Sequence, residues 1–243
     1  SIVPESHVFR SDGSELAGYL YRPPVEGPVP TVIYSHGSGL DRGSQDATQP
    51  GIASLLMSWG YACFYPHRRG YGASPGPSWR EECPDEPFTP SYNRQLIARL
   101  ERESDDVLAA LDHVRSLPGL DPARVAAMGS SFGGVNTLFA CAKQPTFRCG
   151  VEFAGAAMNW DRNADLAAAM IARATAATQP IFYIQAANDF SIRPTQEIAA
   201  ALVAAGRPHE AKIYPAFGLT HWEGHLLAGR GQQLWAADVR RFL

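Results

Sequence analysis

The chain has 243 residues, 45% of them hydrophobic, and a formal net charge of −3 at pH 7. A chain of this length and composition can bury one substantial core, so we expect a single domain over residues 1–243. The small negative charge and the lack of a basic block argue against nucleic acid as a partner.

No apolar run approaches the ~20 residues of a membrane-spanning helix, so we expect a soluble protein. The cytoplasm is the favoured compartment. Secretion stays open because the chain begins at Ser1, so a leader could already have been removed.

Short apolar runs alternate with longer helical patterns, which predicts an α/β fold with a mostly parallel central sheet and helices on both faces. Two strands, 7–10 and 16–21, flank a turn-forming Ser-Asp-Gly-Ser segment and should form an antiparallel hairpin. Later strands, buried on both faces, are predicted at 31–35, 61–65, 124–128, 150–153, 181–185 and 211–214. Helices are predicted at 52–59, 93–116, 132–143, 165–174, 194–205 and 232–242.

The proline-rich stretch 74–90 should be a loop, and its position after a strand would let it overhang the edge of the sheet. The four cysteines form no CxxC pair, and we expect buried thiols. A disulfide between Cys141 and Cys149 is the pairing that stays open.

A Gly-x-Ser-x-Gly motif follows the strand at 124–128 directly. It runs from Gly129 to Gly133 with Ser131 at its centre, and a helical pattern comes next. This strand, turn and helix context presents a nucleophilic serine above the sheet edge, where crowding leaves room only for glycine on either side. A phosphate-binding loop is excluded because the Lys-Ser/Thr pair is missing. The sequence therefore predicts Ser131 as the nucleophile of a hydrolase.

A serine hydroxyl attacks efficiently when a histidine takes its proton and a carboxylate orients that histidine. Strands that follow the nucleophile strand in a parallel sheet end at the same edge, so the acid should follow one of them. Asp189, just after the strand at 181–185, is the preferred acid, while Asp161 and Asp165 are held in reserve.

Two histidines, His221 and His225, follow the last strand, and both stay open as the base. Their spacing would suit a metal pair on a helix. Gly224 weakens a helix there and no third ligand is evident, so no metal and no other cofactor is expected.

Four segments resemble the dienelactone hydrolase-like family of the α/β-hydrolase superfamily, and together they span nearly the whole chain. They are residues 35–39, 67–74, 129–134 and 214–227. The second resembles the family's D-x-R-G-x-G-x-S stretch, with His67 in place of the usual acidic residue. In such relatives the histidine of the triad often follows Glu-Gly, so the resemblance favours His225 over His221.

The resemblance also implies an oxyanion hole and a reaction. Its backbone donors would be the N–H groups of Phe132 and Ser38, with His36 bracing the second loop. Dienelactone hydrolases proper use cysteine, so the serine points to cleavage of carboxylic esters in general, with a small-molecule ester as the partner. A lactone or dienelactone hydrolase and a peptidase on this fold are the alternatives, and a hydrolase-fold binding protein without catalysis is the alternative of another class.

The substrate pocket should draw its walls from the stretch 74–90 and the segment after Phe153. Trp79, Trp160 and Trp222 are the aromatic candidates for its lining.

Overall fold

The computed structural model describes residues 2–45 and 47–243. Within these ranges one sheet has the strand order β1-β2-β4-β3-β5-β6-β7-β8. The strands are β1 (Glu5–Ser11), β2 (Ser14–Tyr21), β3 (Val29–Ser35), β4 (Ala62–Pro66), β5 (Leu120–Ser130), β6 (Gly150–Phe153), β7 (Ile181–Ala186) and β8 (His209–Tyr214). The β1-β2 hairpin and the β2-β4 pair are antiparallel and every other pair is parallel, which confirms the predicted fold class.

Helices cover both faces of this sheet. They are α1 (Pro50–Ser58), α2 (Trp79–Glu82), α3 (Pro90–Arg115), α4 (Phe132–Lys143), α5 (Ala164–Ala176), α6 (Arg193–Ala205), α7 (His221–His225), α8 (Leu227–Arg230) and α9 (Gln232–Phe242). One core cluster joins α3, α4, α5 and α6 to the sheet, and a second joins α1, α8 and α9 to its other face. Burial on both sides explains the nearly continuous apolar runs of β3, β4, β6 and β7. The edge strand β8 is mostly exposed, so its predicted burial on both faces is wrong.

Three local predictions are corrected. The stretch 74–90 is not wholly a loop, because the Ser78 side chain and the Glu81 side chain form a capping box that starts α2. The third helix begins at Pro90 rather than at residue 93, since Thr89 caps it and proline suits a first helical turn. A helix also forms at His221–His225 despite Gly224, capped by a second box between Thr220 and Glu223.

The cysteines of the described chain are all free and buried, so the disulfide left open between Cys141 and Cys149 is absent there. Within the same residues, no helix combines the length and the apolarity that crossing a bilayer requires.

The strand order reverses between β3 and β5. From β3 the chain moves to β4 on one side, whereas from β5 it moves to β6 on the other. Loops that leave two such neighbouring strands diverge at the carboxyl edge and open a crevice, which is where open α/β sheets bind ligands. The loop after β3 and the turn at Ser131 both lie at this edge.

The passage from β5 into α4 is closely packed against the end of β3. A Cβ atom built on Gly129 would lie 2.2 Å from the carbonyl oxygen of Gly133, and one built on Gly133 would lie 2.1 Å from that of Ser35. Real side chains do not approach backbone oxygens this closely, so these two positions require glycine.

We expect Gly133→Ala to lower the free energy of unfolding by about 3 kcal/mol or more, because the added methyl must displace backbone. Urea denaturation followed by circular dichroism measures the loss. Gly229→Ala is the matched control, since a Cβ there meets no atom within 4 Å, and it should unfold like the wild type. Equal stability of the two variants would contradict the packing described here.

Candidate active site

Ser131 lies between β5 and α4 with a backbone that few residues other than glycine adopt. Its φ is 58° and its ψ is −122°. Such a conformation costs ~1–3 kcal/mol and persists only where the surroundings impose it. Here the Ser131 N–H donates to the carbonyl oxygen of Phe153, while the Ser131 carbonyl accepts from the N–H groups of Gly134 and Val135. The turn thus presents the Ser131 side chain, half-buried, at the carboxyl edge of the sheet.

The structure brings Ser131, His225 and Asp189 together from three separate segments. His225 Nε2 lies 3.0 Å from Ser131 Oγ, and His225 Nδ1 lies 2.8 Å from Asp189 Oδ1. Because an ionised carboxylate only accepts hydrogen bonds, the ring proton belongs on Nδ1. Nε2 is then free to accept the proton of the Ser131 hydroxyl.

Asp189 is held on both of its oxygens. Oδ1 also accepts from the Phe190 N–H at 2.7 Å, and Oδ2 accepts from Gln185 Nε2 at 2.9 Å. Gln185 is itself fixed, because its Oε1 accepts from the N–H and the hydroxyl of Thr195. These bonds satisfy a carboxylate that is almost completely buried, and they set its direction toward His225.

His225 ends the short helix α7, and Asn188 attaches this helix to the end of β7. The Asn188 side chain donates to the carbonyl oxygens of Phe217 and Thr220 and accepts from the Phe217 N–H. A Cβ on Gly224 would lie 2.6 Å from Asn188 Oδ1, so only glycine permits this approach. The glycine in the Glu-Gly-His sequence is therefore required on steric grounds.

The other candidates for the base and the acid form no hydrogen bond with Ser131 or His225. His221 is exposed, and its Nδ1 bonds to the Asn188 carbonyl oxygen instead of approaching Ser131. Asp161 pairs with Arg193 at 2.6 Å on the surface, and Asp165 is exposed in the first turn of α5. The described residues contain no group of three or more His, Cys, Asp or Glu side chains arranged to hold a metal ion.

The loop after β3 lies against the turn at Ser131. A Cβ on Gly37 would lie 3.3 Å from Ser131 Cβ, and Ser38 lines the same cavity as Ser131. His36 braces this loop, since its Nδ1 bonds to the Gly37 carbonyl oxygen and its Nε2 accepts from the Arg68 N–H. Burial, together with the nearby Arg68 charge, holds the pKa of His36 well below its usual range, so the ring is neutral.

A cavity of about 640 Å³ opens beside Ser131 and His225. Trp79 and Trp222 line it, as does Phe132. Trp160 does not line the cavity, so the prediction that it does is wrong. It is buried in the core behind the wall formed by residues 156–159, where its indole N–H donates to Glu197.

Sequence reasoning missed a buried acid, Glu152 of β6. It lies beside Gly129 in the sheet, and its Oε1 accepts the N–H of Gly155. No cation of the described chain forms an ion pair with it. Burial raises the pKa of Glu152 to about 8; the Gly155 hydrogen bond lowers this pKa, and the Asp189 charge raises it. The only advance signal was a lone glutamate inside the apolar run Gly-Val-Glu-Phe.

Gln185 and Asn188 also escaped notice. Gln185 lies near the end of the apolar strand β7 and Asn188 just after it, where polar residues are ordinary. Their hydrogen bonds become visible only once β7, α6 and α7 are packed together.

Solved structures of similar shape define the class of this fold as the α/β-hydrolases. An acylaminoacyl peptidase of Pyrococcus horikoshii aligns with 100% of this chain and 41% of its own, with a TM-score of 0.73 and 17% identity. An esterase of Pyrococcus furiosus aligns with 100% of this chain and 90% of its own, with a TM-score of 0.72 and 16% identity.

The family follows from the sequence comparison. The model of the dienelactone hydrolase family matches residues 16–222, and the chain belongs to that family. Among curated relatives, the quorum-quenching protein AidA of Acinetobacter baumannii is 32% identical over 130 residues, which are 54% of this chain and 36% of that protein. The chain thus spans about a third of the length of two curated relatives that it matches, AidA and a dipeptidyl-peptidase 5 of Porphyromonas gingivalis.

The buried acid makes stability depend on pH. An ordinary glutamate loses its proton near 4.5, whereas folded Glu152 keeps it up to about 8. The folded state therefore binds more protons between these values, so the free energy of unfolding falls as the pH rises through this window. The amide that Glu152→Gln introduces does not titrate. We therefore expect the free energy of unfolding of this variant, relative to that of the wild type, to rise from pH 5 to pH 8.

Urea denaturation at several pH values checks this expectation, with the exposed Glu26→Gln variant as the control for loss of a carboxylate. Parallel stability curves for wild type and Glu152→Gln would show that Glu152 does not titrate differently in the folded state.

Proposed function

We propose that this protein is a serine hydrolase that cleaves carboxylic esters through an acyl-enzyme intermediate. One observation carries the proposal: the continuous hydrogen-bond path from Ser131 Oγ through His225 to Asp189, beside a cavity of about 640 Å³. Membership of a hydrolase family supports it.

In the first half of the reaction, His225 Nε2 takes the proton of Ser131 as Oγ attacks the ester carbonyl carbon. Asp189 keeps the ring in the reactive tautomer and stabilises the imidazolium that forms. The tetrahedral intermediate then collapses, the ester C–O bond breaks, and the imidazolium gives its proton to the departing alcohol oxygen.

In the second half, water replaces the alcohol. His225 takes a proton from the water, the hydroxide oxygen attacks the acyl carbon, and Ser131 leaves with the returned proton. The products are the acid and the regenerated enzyme, and no cofactor enters the cycle.

Two backbone N–H groups are assigned to the negative charge that develops on the carbonyl oxygen. Phe132 is the first residue of α4, so its N–H has no partner inside the helix. Ser38 supplies the second from the loop that packs on Ser131. The positive end of the α4 dipole adds to the same field.

Replacement of the nucleophile is the first test. Ser131→Ala should lower kcat for a short-chain p-nitrophenyl ester by about 10⁴-fold or more, because the acyl-enzyme can no longer form. Mass spectrometry should locate a serine-directed organophosphate on Ser131 of the wild type. Full activity of the variant, or labelling of a different residue, would refute the proposal.

The histidines are distinguished by a matched pair of variants. His225→Ala should lower kcat by about 10³-fold or more, because His225 contacts Ser131. His221→Ala should stay within about threefold of the wild type, because His221 does not. Steady-state kinetics on the same ester measure both. A near-wild-type rate for His225→Ala would remove it from the mechanism.

A further inference from the structure

The cavity has an aromatic wall immediately beside the nucleophile. Trp79 meets Phe132 edge to face, with 5.2 Å between their ring centroids, and Phe88 packs against Tyr92 at 6.1 Å. All four side chains line the cavity, and Phe132 directly follows Ser131 in the chain. A substrate group that lies next to the reacting carbonyl on this side therefore meets rings rather than polar partners.

The mouth of the cavity is apolar as well. Met158, Trp222 and Leu226 line it although 42%, 58% and 39% of their surfaces are exposed. Single exposed hydrophobic residues are ordinary, but several around one opening indicate a surface that binds an apolar group. We call Met158, Trp222 and Leu226 the rim.

The charges of the cavity lining disfavour a substrate that carries a positively charged group. Within the described ranges no aspartate or glutamate lines the cavity, and Arg80 is its only lysine or arginine. The Arg80 guanidinium lies over the Trp79 ring, 4.7 Å from its centroid. A substrate with an ammonium group would lose hydration without gaining a carboxylate partner, and it would be repelled by Arg80.

We propose that the site acts on esters with an extended apolar chain that carries no positive charge and runs along the aromatic wall and over the rim. This inference rests on the proposed function and names its substrate class. The reaction is hydrolysis: the ester C–O bond breaks, the acyl carbon gains the hydroxyl of water, and the alcohol oxygen gains the proton.

A series of p-nitrophenyl acetate, butanoate, hexanoate and octanoate, each below its micellar concentration, tests the chain preference. A fully buried methylene increases affinity about fourfold, so partial burial along the cavity should raise kcat/KM at least tenfold from acetate to octanoate. A flat or falling series with a hydrolysed acetate would overturn this inference and leave the proposed function standing. Failure to hydrolyse any ester would refute the proposed function itself.

The rim is tested by Met158→Ser and Trp222→Ser, read as the ratio of kcat/KM for octanoate to that for acetate. Each should lower this ratio about threefold or more, through loss of apolar contact with the distal chain. Val203→Ser is the matched control, because Val203 is exposed on α6 and does not line the cavity. Ratios equal to that of the control in both rim variants would overturn the assignment of the rim.

Charge exclusion is tested with two esters of equal length, p-nitrophenyl heptanoate and p-nitrophenyl 6-aminohexanoate. The wild type should prefer the heptanoate at least tenfold, and Arg80→Glu should shift this preference toward the ammonium ester. Equal rates on the two esters in the wild type, or no shift in the variant, would contradict the electrostatic part of the inference.

Discussion

Close backbone packing at one turn organises the candidate site. The end of β5, the start of α4 and the end of β3 meet with so little space that residues 129 and 133 must be glycine. Between them, Ser131 adopts a strained backbone, and hydrogen bonds to Phe153, Gly134 and Val135 hold it there. The same packing brings the loop at Gly37 against Ser131, so the proposed nucleophile and one proposed oxyanion donor are positioned by a single contact.

The partners of Ser131 depend on a second constraint, the common edge of the parallel strands. Asp189 leaves the end of β7, and Asn188 beside it ties down the helix that carries His225. One strand end therefore positions both the carboxylate and the ring. Gln185 completes the arrangement from within β7, so the direction of Asp189 is set by the sheet rather than by a free loop.

The electrostatic environment differs sharply between the two sides of this turn. Beneath the turn at Ser131, burial raises the pKa of Glu152, which has no ion-pair partner among the described residues, to about 8. Above it, the cavity is lined by rings and carries a lone guanidinium among the described residues. In the proposed reaction, negative charge thus develops near backbone N–H groups, and no carboxylate lines the cavity among the described residues. Apolar groups of a substrate would contact both the aromatic wall and the rim.

The sequence by itself determined the fold class and pointed to Ser131 as the proposed nucleophile, because both follow from local patterns. Apolar runs of strand length alternate with helical periods, and Gly-x-Ser-x-Gly stands at a junction of the two. Chain order and strand ends also pointed to Asp189. Only the tertiary structure shows that His225 rather than His221 contacts Ser131. It also shows that Trp79 and Trp222 line the cavity whereas Trp160 does not, and it reveals the positions of Glu152 and Gln185. Each of these depends on which side chains meet across many residues of chain, and that is fixed by packing rather than by spacing.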